Sequence, residues 1–385
     1  MAITYTGPLP ATGAWQEGDH PGQRKFVDVG SIELELGAVL PEVRVSYETY
    51  GKLNSSASNA IFIAHALTGD SHVAGLDTEG HLTRGWWDGL IGDGLAIDTK
   101  EWFVVCANVL GGCQGTTGPS SFDSNGKRWG SRFPRVTVAD QVEIEKRLTD
   151  ALNIERWASV MGGSMGGMRV LEWAVEHPNR VSSAFVIASA PGSSADQIAT
   201  QSAQIAAIKA DPKWRGGDYY EAKPGDGPHV GLGIARRFAH LTYRSETELD
   251  VRFGRDHQDG EDPYSEGRFA IESYLDHHAE KLARRFDANS YIALTDSMST
   301  FDIGRNRGGV AAALQKISAP IVVAGIDSDR LYPIRQQADL VSALPIKTDL
   351  NVISSPFGHD GFLIEIDQVA SIVKKALDKA VSKIK

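Results

Sequence analysis

The sequence predicts an α/β fold: a mostly parallel sheet flanked by helices, with a helical domain inserted late in the chain. Three observations predict it. Short, nearly continuous apolar runs such as Asn59–Ala64 (NAIFIA) have the texture of strands buried on both faces. Amphipathic helical stretches alternate with them, as βαβ units require. The alternation stops near residue 193, gives way to charged helical patterns, and resumes near 320.

Taken in order, Lys25–Leu36 and Val43–Tyr50 alternate apolar and polar residues, as half-buried strands do. Asn59–Ala64 and Trp102–Val109 are buried-strand runs. Val136–Ile154 reads as a helix, because Val138, Val142, Ile144, Leu148 and Leu152 recur at helical spacing among charges. A strand at Trp157–Met161, a helix at Met165–Glu176 stopped before Pro178, and a strand at Val181–Ala188 follow. From about Ser193 to Gly304 the pattern is helical and broken by Gly216-Gly217 and by PGDGP at 224–228. So long a stretch inside a compact protein needs structure of its own and is expected to form a lid. Residues 1–192 and 305–385 are then the core and 193–304 the insertion. The core closes with a strand at Pro320–Ile326, a helix near Arg335–Leu344, a strand at Asp349–Ser354 and a helix from about Asp367.

Composition narrows the function. The 385 residues carry 39 Lys and Arg against 49 Asp and Glu, a net charge of −10, without a long run of like charge. That argues against nucleic acid as a partner and leaves room for a local basic pocket. No segment has the 18 to 20 consecutive apolar residues, roughly, that span a bilayer. The opening MAITYTGPLPATG has neither the basic nor the apolar part of a secretory signal. Two cysteines, Cys106 and Cys113, cannot build a disulfide scaffold, so a cytoplasmic enzyme is expected. No metal site is expected, since no His, Cys and Asp residues fall at ligand spacing.

The chemistry is carried by Gly162-Gly163-Ser164-Met165-Gly166, which fits G-x-S-x-G between a strand and a helix. A strand that turns abruptly into a helix lifts the serine hydroxyl above the sheet, glycines make room for the bend, and the helix N-terminus aims N–H groups at developing negative charge. A serine needs a base, and the base an orienting acid, in the chain order Ser, Asp or Glu, His. His359 follows a late strand between Gly358 and Gly361. His277 and His278 lie in a charged helical stretch and read as a solvated face; His229 and His240 fall within the insertion and could line the site, although packing or surface roles fit each better. Asp327 and Asp329 both follow the strand PIVVAGI; position favours Asp329, with Asp327 the alternative. For the oxyanion, the N–H of Met165 and that of Leu67, in the loop after NAIFIA, are the candidate donors.

Several segments together resemble the homoserine O-acetyltransferase family: HALTGDSH (65–72), GWWDGLIGDG (85–94), NVLGGCQGTTGPSS (108–121), GGSMGGM (162–168), DIGRNRGG (302–309), SDRLYP (328–333) and GHDGFL (358–363). The resemblance implies an α/β-hydrolase fold with a helical lid and a Ser164–Asp329–His359 triad, which decides for Asp329. It implies acetyl transfer from acetyl-CoA, a co-substrate rather than a resident cofactor, to L-homoserine in methionine biosynthesis, and a homodimer. It also implies that homoserine is recognised by Asp360 and a lid arginine, taken as Arg236 over Arg237, with Tyr243 on the same helical face. A guanidinium fork suits the α-carboxylate, and a carboxylate the α-ammonium. Arg236, Arg237 and Arg244 together are expected to attract the phosphates of CoA.

Overall fold

The computed structural model describes residues 7–384. Its centre is an eight-stranded sheet built from β1 (Lys25–Asp28), β2 (Arg44–Tyr50), β3 (Ala60–Ala64), β4 (Phe103–Ala107), β5 (Ser159–Gly163), β6 (Ala184–Ile187), β7 (Ile321–Ile326) and β8 (Leu350–Ile353). The spatial order is β1-β2-β4-β3-β5-β6-β7-β8. β2 runs antiparallel to both its neighbours, and every other pairing is parallel.

The strands β3 to β7 alternate their side chains between two apolar layers, which is why they read as unbroken apolar runs. Phe62, Val105, Val160, Val186 and Val323 face one layer. Ile61, Val104, Met161, Phe185 and Val322 face the other. Helices α1 (Val138–Ala151) and α2 (Met165–Glu176) cover the first layer with Leu148 and Leu171. The closing helix, Ile366–Ile384, covers the second with Val369, Val373 and Ala376. Thr137 starts α1 through a capping box with Asp140, which ties off two of the free N–H groups of the first turn.

Between β6 and β7 the chain forms α3 (Ala195–Ala210), α4 (His229–Tyr243), α5 (Glu246–Phe253), α6 (Ala270–Ala283) and α7 (Ala288–Ser299). Ser194 caps α3 with Gln197 by the same reciprocal bonding. The helix expected near Arg335–Leu344 is α8 (Ile334–Ala343), and the closing helix is α9. Among the described residues no helix is long and apolar enough to cross a membrane.

Two strand expectations need correction. Lys25–Leu36 does not form one strand: Gly30 has φ +76° and its carbonyl accepts from Val43, so the chain turns, and Ile32–Glu33 pairs instead with Val39–Leu40 in a separate hairpin. The strand expected at Trp157–Met161 lies two residues later. Trp157 makes only an isolated bridge to Val181, and pairing runs on through Gly162 and Gly163.

Candidate active site

The site lies at the carboxyl ends of the parallel strands, where loops leave the sheet and ligands bind in open α/β folds. β5 turns into α2 at Ser164, whose φ of 56° and ψ of −126° lie in a region L-residues seldom occupy. Such strain persists only where the surroundings enforce it, and here two close approaches do. A Cβ on Gly166 would stand 2.0 Å from the Ala64 carbonyl oxygen, and one on Gly162 would stand 2.7 Å from Gly166. The Ser164 N–H donates to Ile187 at 3.1 Å, and the Ser189 hydroxyl donates to the Ser164 carbonyl at 2.8 Å.

Asp329 and His359 arrive from the ends of β7 and β8. His359 Nδ1 lies 2.7 Å from Asp329 Oδ2, and the N–H groups of Leu331 and Tyr332 each donate to Asp329 Oδ1 at 2.8 Å. The carboxylate is therefore held on both oxygens, by two backbone N–H groups on one and the imidazole on the other. Asp327, by contrast, is exposed and accepts from the Ser355 N–H at 3.1 Å. Gly358 has φ +64°, and a Cβ there would meet the Tyr243 carbonyl at 2.5 Å, so only glycine lets the end of α4 seat against the histidine loop. Ser164 and His359 line one cavity of about 290 Å³. No hydrogen bond joins the two side chains.

Leu67 lines the same cavity. The N–H groups of Leu67 and Met165 have no acceptor among the described residues. Their loop is held from beneath. His65 Nδ1 is 2.8 Å from the Ala66 carbonyl and its Nε2 accepts from the Val109 N–H at 3.1 Å, so the ring is neutral with its proton on Nδ1. Burial, with Arg169 nearby, pushes His65 down to about 3, which agrees. Arg169 of α2 donates to the His65 carbonyl and pairs with the buried Glu145 of α1.

The arginines of α4 and its C-cap divide cleanly. Arg236 lines the cavity with its guanidinium 5.5 Å from the Tyr243 ring centre and Nη1 donating to Thr68 at 3.4 Å. Tyr243 and Asp360 line it too. Arg237 pairs with Asp276 and does not reach it. Arg244 is buried against Glu248, with Asp360 at 3.4 Å. The expected phosphate field of three lid arginines is thus corrected, since Arg237 and Arg244 are matched by carboxylates within the chain. The cations on the cavity wall besides Arg236 are Arg84, Lys281 and Arg285. Burial raises Asp360 above the usual carboxylate range, against the pull of His359, Arg236 and Arg244.

Three residues matter more in the structure than sequence reasoning suggests. His278 lines the cavity rather than a solvated face, although its neighbour His277 is exposed as expected. His240 is buried and lines the cavity as well; its place one turn after Arg236 and one before Tyr243 was the available signal. Tyr332 stacks on His359, with ring centres 5.3 Å apart and planes at 25°, and its buried hydroxyl lies beside that of Ser164. Cys106 and Cys113 are both buried and outside the cavity, with thiols pushed up by burial.

One group brings metal-ligand types together that spacing did not reveal: Glu48, His72 and His81. It does not fit an ion. The two imidazoles stack at 3.9 Å with planes 10° apart, whereas a shared metal would have to lie in both ring planes about 2 Å from each nitrogen. The geometry is that of hydrogen bonds instead. His72 Nδ1 is 3.2 Å from Glu48, and its Nε2 is 3.1 Å from the Leu76 carbonyl, so His72 is doubly protonated against the carboxylate. Burial alone would lower His72, but the Glu48 contact raises it.

A serine on a strained strand-to-helix turn, with its acid and imidazole delivered by the last two parallel strands, defines an α/β hydrolase, and the alpha/beta hydrolase fold family matches residues 59–365. The homoserine O-acetyltransferase of Thermobifida fusca (strain YX) is 57% identical over 378 residues, covering 98% of this chain and 100% of that protein. That of Clavibacter michiganensis subsp. michiganensis (strain NCPPB 382) is 52% identical over 376 residues, 97% of each. Among solved structures, homoserine O-acetyltransferase from Bacillus anthracis superposes with a TM-score of 0.85 at 29% identity, over 92% of this chain and 97% of that one. Esterase E22 does so with a TM-score of 0.83 at 26% identity, over 92% and 99%. The chain belongs to the homoserine O-acetyltransferase family.

Proposed function

We propose that the chain transfers the acetyl group of acetyl-CoA to the hydroxyl of L-homoserine, giving O-acetyl-L-homoserine and CoA for methionine biosynthesis. The observation that carries this reading is one cavity lined by Ser164, His359, Arg236 and Asp360. It unites an acyl-transfer centre with a cation and an anion suited to the two ends of an amino acid. High identity to relatives named for this activity supports it.

In this reading His359 takes the Ser164 proton as the serine oxygen attacks the thioester carbonyl. The oxyanion is held by the Leu67 and Met165 N–H groups. The C–S bond breaks, and His359 passes the proton to the departing sulfur. Homoserine then enters with its carboxylate on Arg236, its ammonium on Asp360 and Tyr243 as a wall. His359 deprotonates its hydroxyl, which attacks the acetyl-serine, and the proton returns to Ser164. Asp329 keeps the imidazole tautomer and steadies the imidazolium. Residues 193–304 act as a lid on a core of 1–192 and 305–385, holding the acceptor in attack geometry against water. The protein works in the cytoplasm as a homodimer. α4 supports that state: Val230, Ile234, Phe238 and Leu241 are exposed along one face of it.

Intact mass after mixing with acetyl-CoA tests the centre. The wild type gains one acetyl group that homoserine discharges, and Ser164→Ala gains none. An undiminished adduct in the variant would place the nucleophile elsewhere, and CoA release indifferent to homoserine would make the enzyme an esterase.

A further inference from the structure

His240 is 4% exposed and lines the cavity, yet neither of its ring nitrogens has a hydrogen-bond partner among the described residues. Leaving such a group unpaired costs free energy that a ligand can recover. Its surroundings on every side are rings and cations. His278 of α6 packs against it at 4.0 Å between centroids, and Tyr243 and Tyr274 meet it edge-on at 5.8 Å. Burial, with Arg236, His278, Arg244 and Lys281 around it, pushes His240 far down, so it is neutral and presents one N–H donor and one bare acceptor nitrogen.

The order of groups along the wall is informative. Tyr243 lies 5.8 Å from His359 on one side and 5.8 Å from His240 on the other. Lys281, about one helical turn after His278, and Arg285, in the turn that follows α6, line the cavity as well. Lys281 is itself lowered by burial and by Arg285 and Arg236, the condition of a cation site that an anion would relieve. Along this wall, Arg236 aside, neighbouring groups run from the His359 imidazole through Tyr243 and the neutral rings of His240 and His278 to the cation Lys281. An acyl-CoA has its thioester, then amides, then phosphates in the same sequence.

Resting on the acetyl-CoA reading above, we infer that His240 binds the donor's pantetheine arm, donating to the carbonyl of one of its two amides and accepting from the N–H of the other, with His278 as the supporting ring. A carboxylate would engage only the donor and leave the second nitrogen orphaned, whereas an arm with two amides offers a partner to each. The acceptor's carboxylate belongs to Arg236.

Three acetyl donors test the inference on the full chain: acetyl-CoA, S-acetyl-N-acetylcysteamine, which retains the thioester and one amide, and p-nitrophenyl acetate, which has no amide. His240→Phe is expected to raise KM for the amide-bearing donors about tenfold, with a far smaller change in Ser164 acylation by p-nitrophenyl acetate and in KM for homoserine. His240→Gln, which keeps one donor and one acceptor, recovers part of that loss and carries the test if the Phe variant does not fold. An equal loss with all three donors makes His240 a packing residue and overturns the inference. A rise confined to homoserine KM overturns it too. Wild-type protein that takes no acetyl from acetyl-CoA would instead defeat the acyl-transfer reading itself, and that measurement precedes the variants.

Discussion

Asp360 stands between two demands. Its carboxyl lies beside Arg244 and shares a cavity wall with Arg236, yet burial outweighs them and raises its pKa. Recognition of an ammonium needs the ionised form, so as pH falls through that raised value the site loses its anion while ordinary carboxylates are still charged. The expected outcome is a homoserine KM that climbs on acidification, and an Asp360→Asn variant whose KM is high throughout and flat with pH. Parallel pH curves for wild type and variant would remove Asp360 from acceptor binding. At this scale the sequence was legible where chain order constrains chemistry: Ser164 and His359 were readable as a motif and its echo, whereas Asp360 was named only through the family resemblance. The choice between Asp329 and Asp327 was not readable from spacing, because two residues on one short loop differ only in which way they point. Asp329 points inward to His359, and Asp327 outward to the Ser355 N–H.

The turn from β5 into α2 works because neighbouring elements hold it. Arg169 projects from α2 to the His65 carbonyl and to Glu145 of α1, both buried. It therefore joins the helix that presents Ser164 to the loop that presents Leu67. Burial raises the Glu145 carboxyl, and Arg169 is the chief group drawing it back down. Arg169→Met should leave Glu145 uncompensated and cost about 3–5 kcal/mol of stability, read as a lower urea midpoint. Glu145→Gln with Arg169→Met should recover part of the loss; no recovery would mean the His65 contact dominates. The strands and helices of the core were legible because burial on two faces writes apolar runs, and burial on one face writes a 3.6-residue period. The Ile32–Glu33 hairpin was not, because a turn at Gly30 and a strand with a glycine in it share the same local pattern.

α4 shows what the whole molecule asks of one helix. Arg236, His240 and Tyr243 fall on the face toward the cavity, while Val230, Ile234, Phe238 and Leu241 fall within about 80° of arc on another. An exposed apolar stripe beside the cavity is suited to a second copy of the chain, related by twofold symmetry. Phe238→Asp is expected to shift the protein from dimer to monomer in light scattering while Ser164 is still acetylated; an unchanged mass in solution would assign the stripe another use.

The sequence by itself determined the layer architecture and the serine turn, because each follows from contacts between residues near in the chain or from the periodicity of burial. It also held the family resemblance that the comparisons bear out. The tertiary structure alone decided that Arg236 faces the cavity and Arg237 and Arg244 do not, that His240 and His278 line its wall, and that His72 and His81 stack beside Glu48. Those are relations between side chains tens to hundreds of residues apart, where direction and distance choose the partner and composition does not.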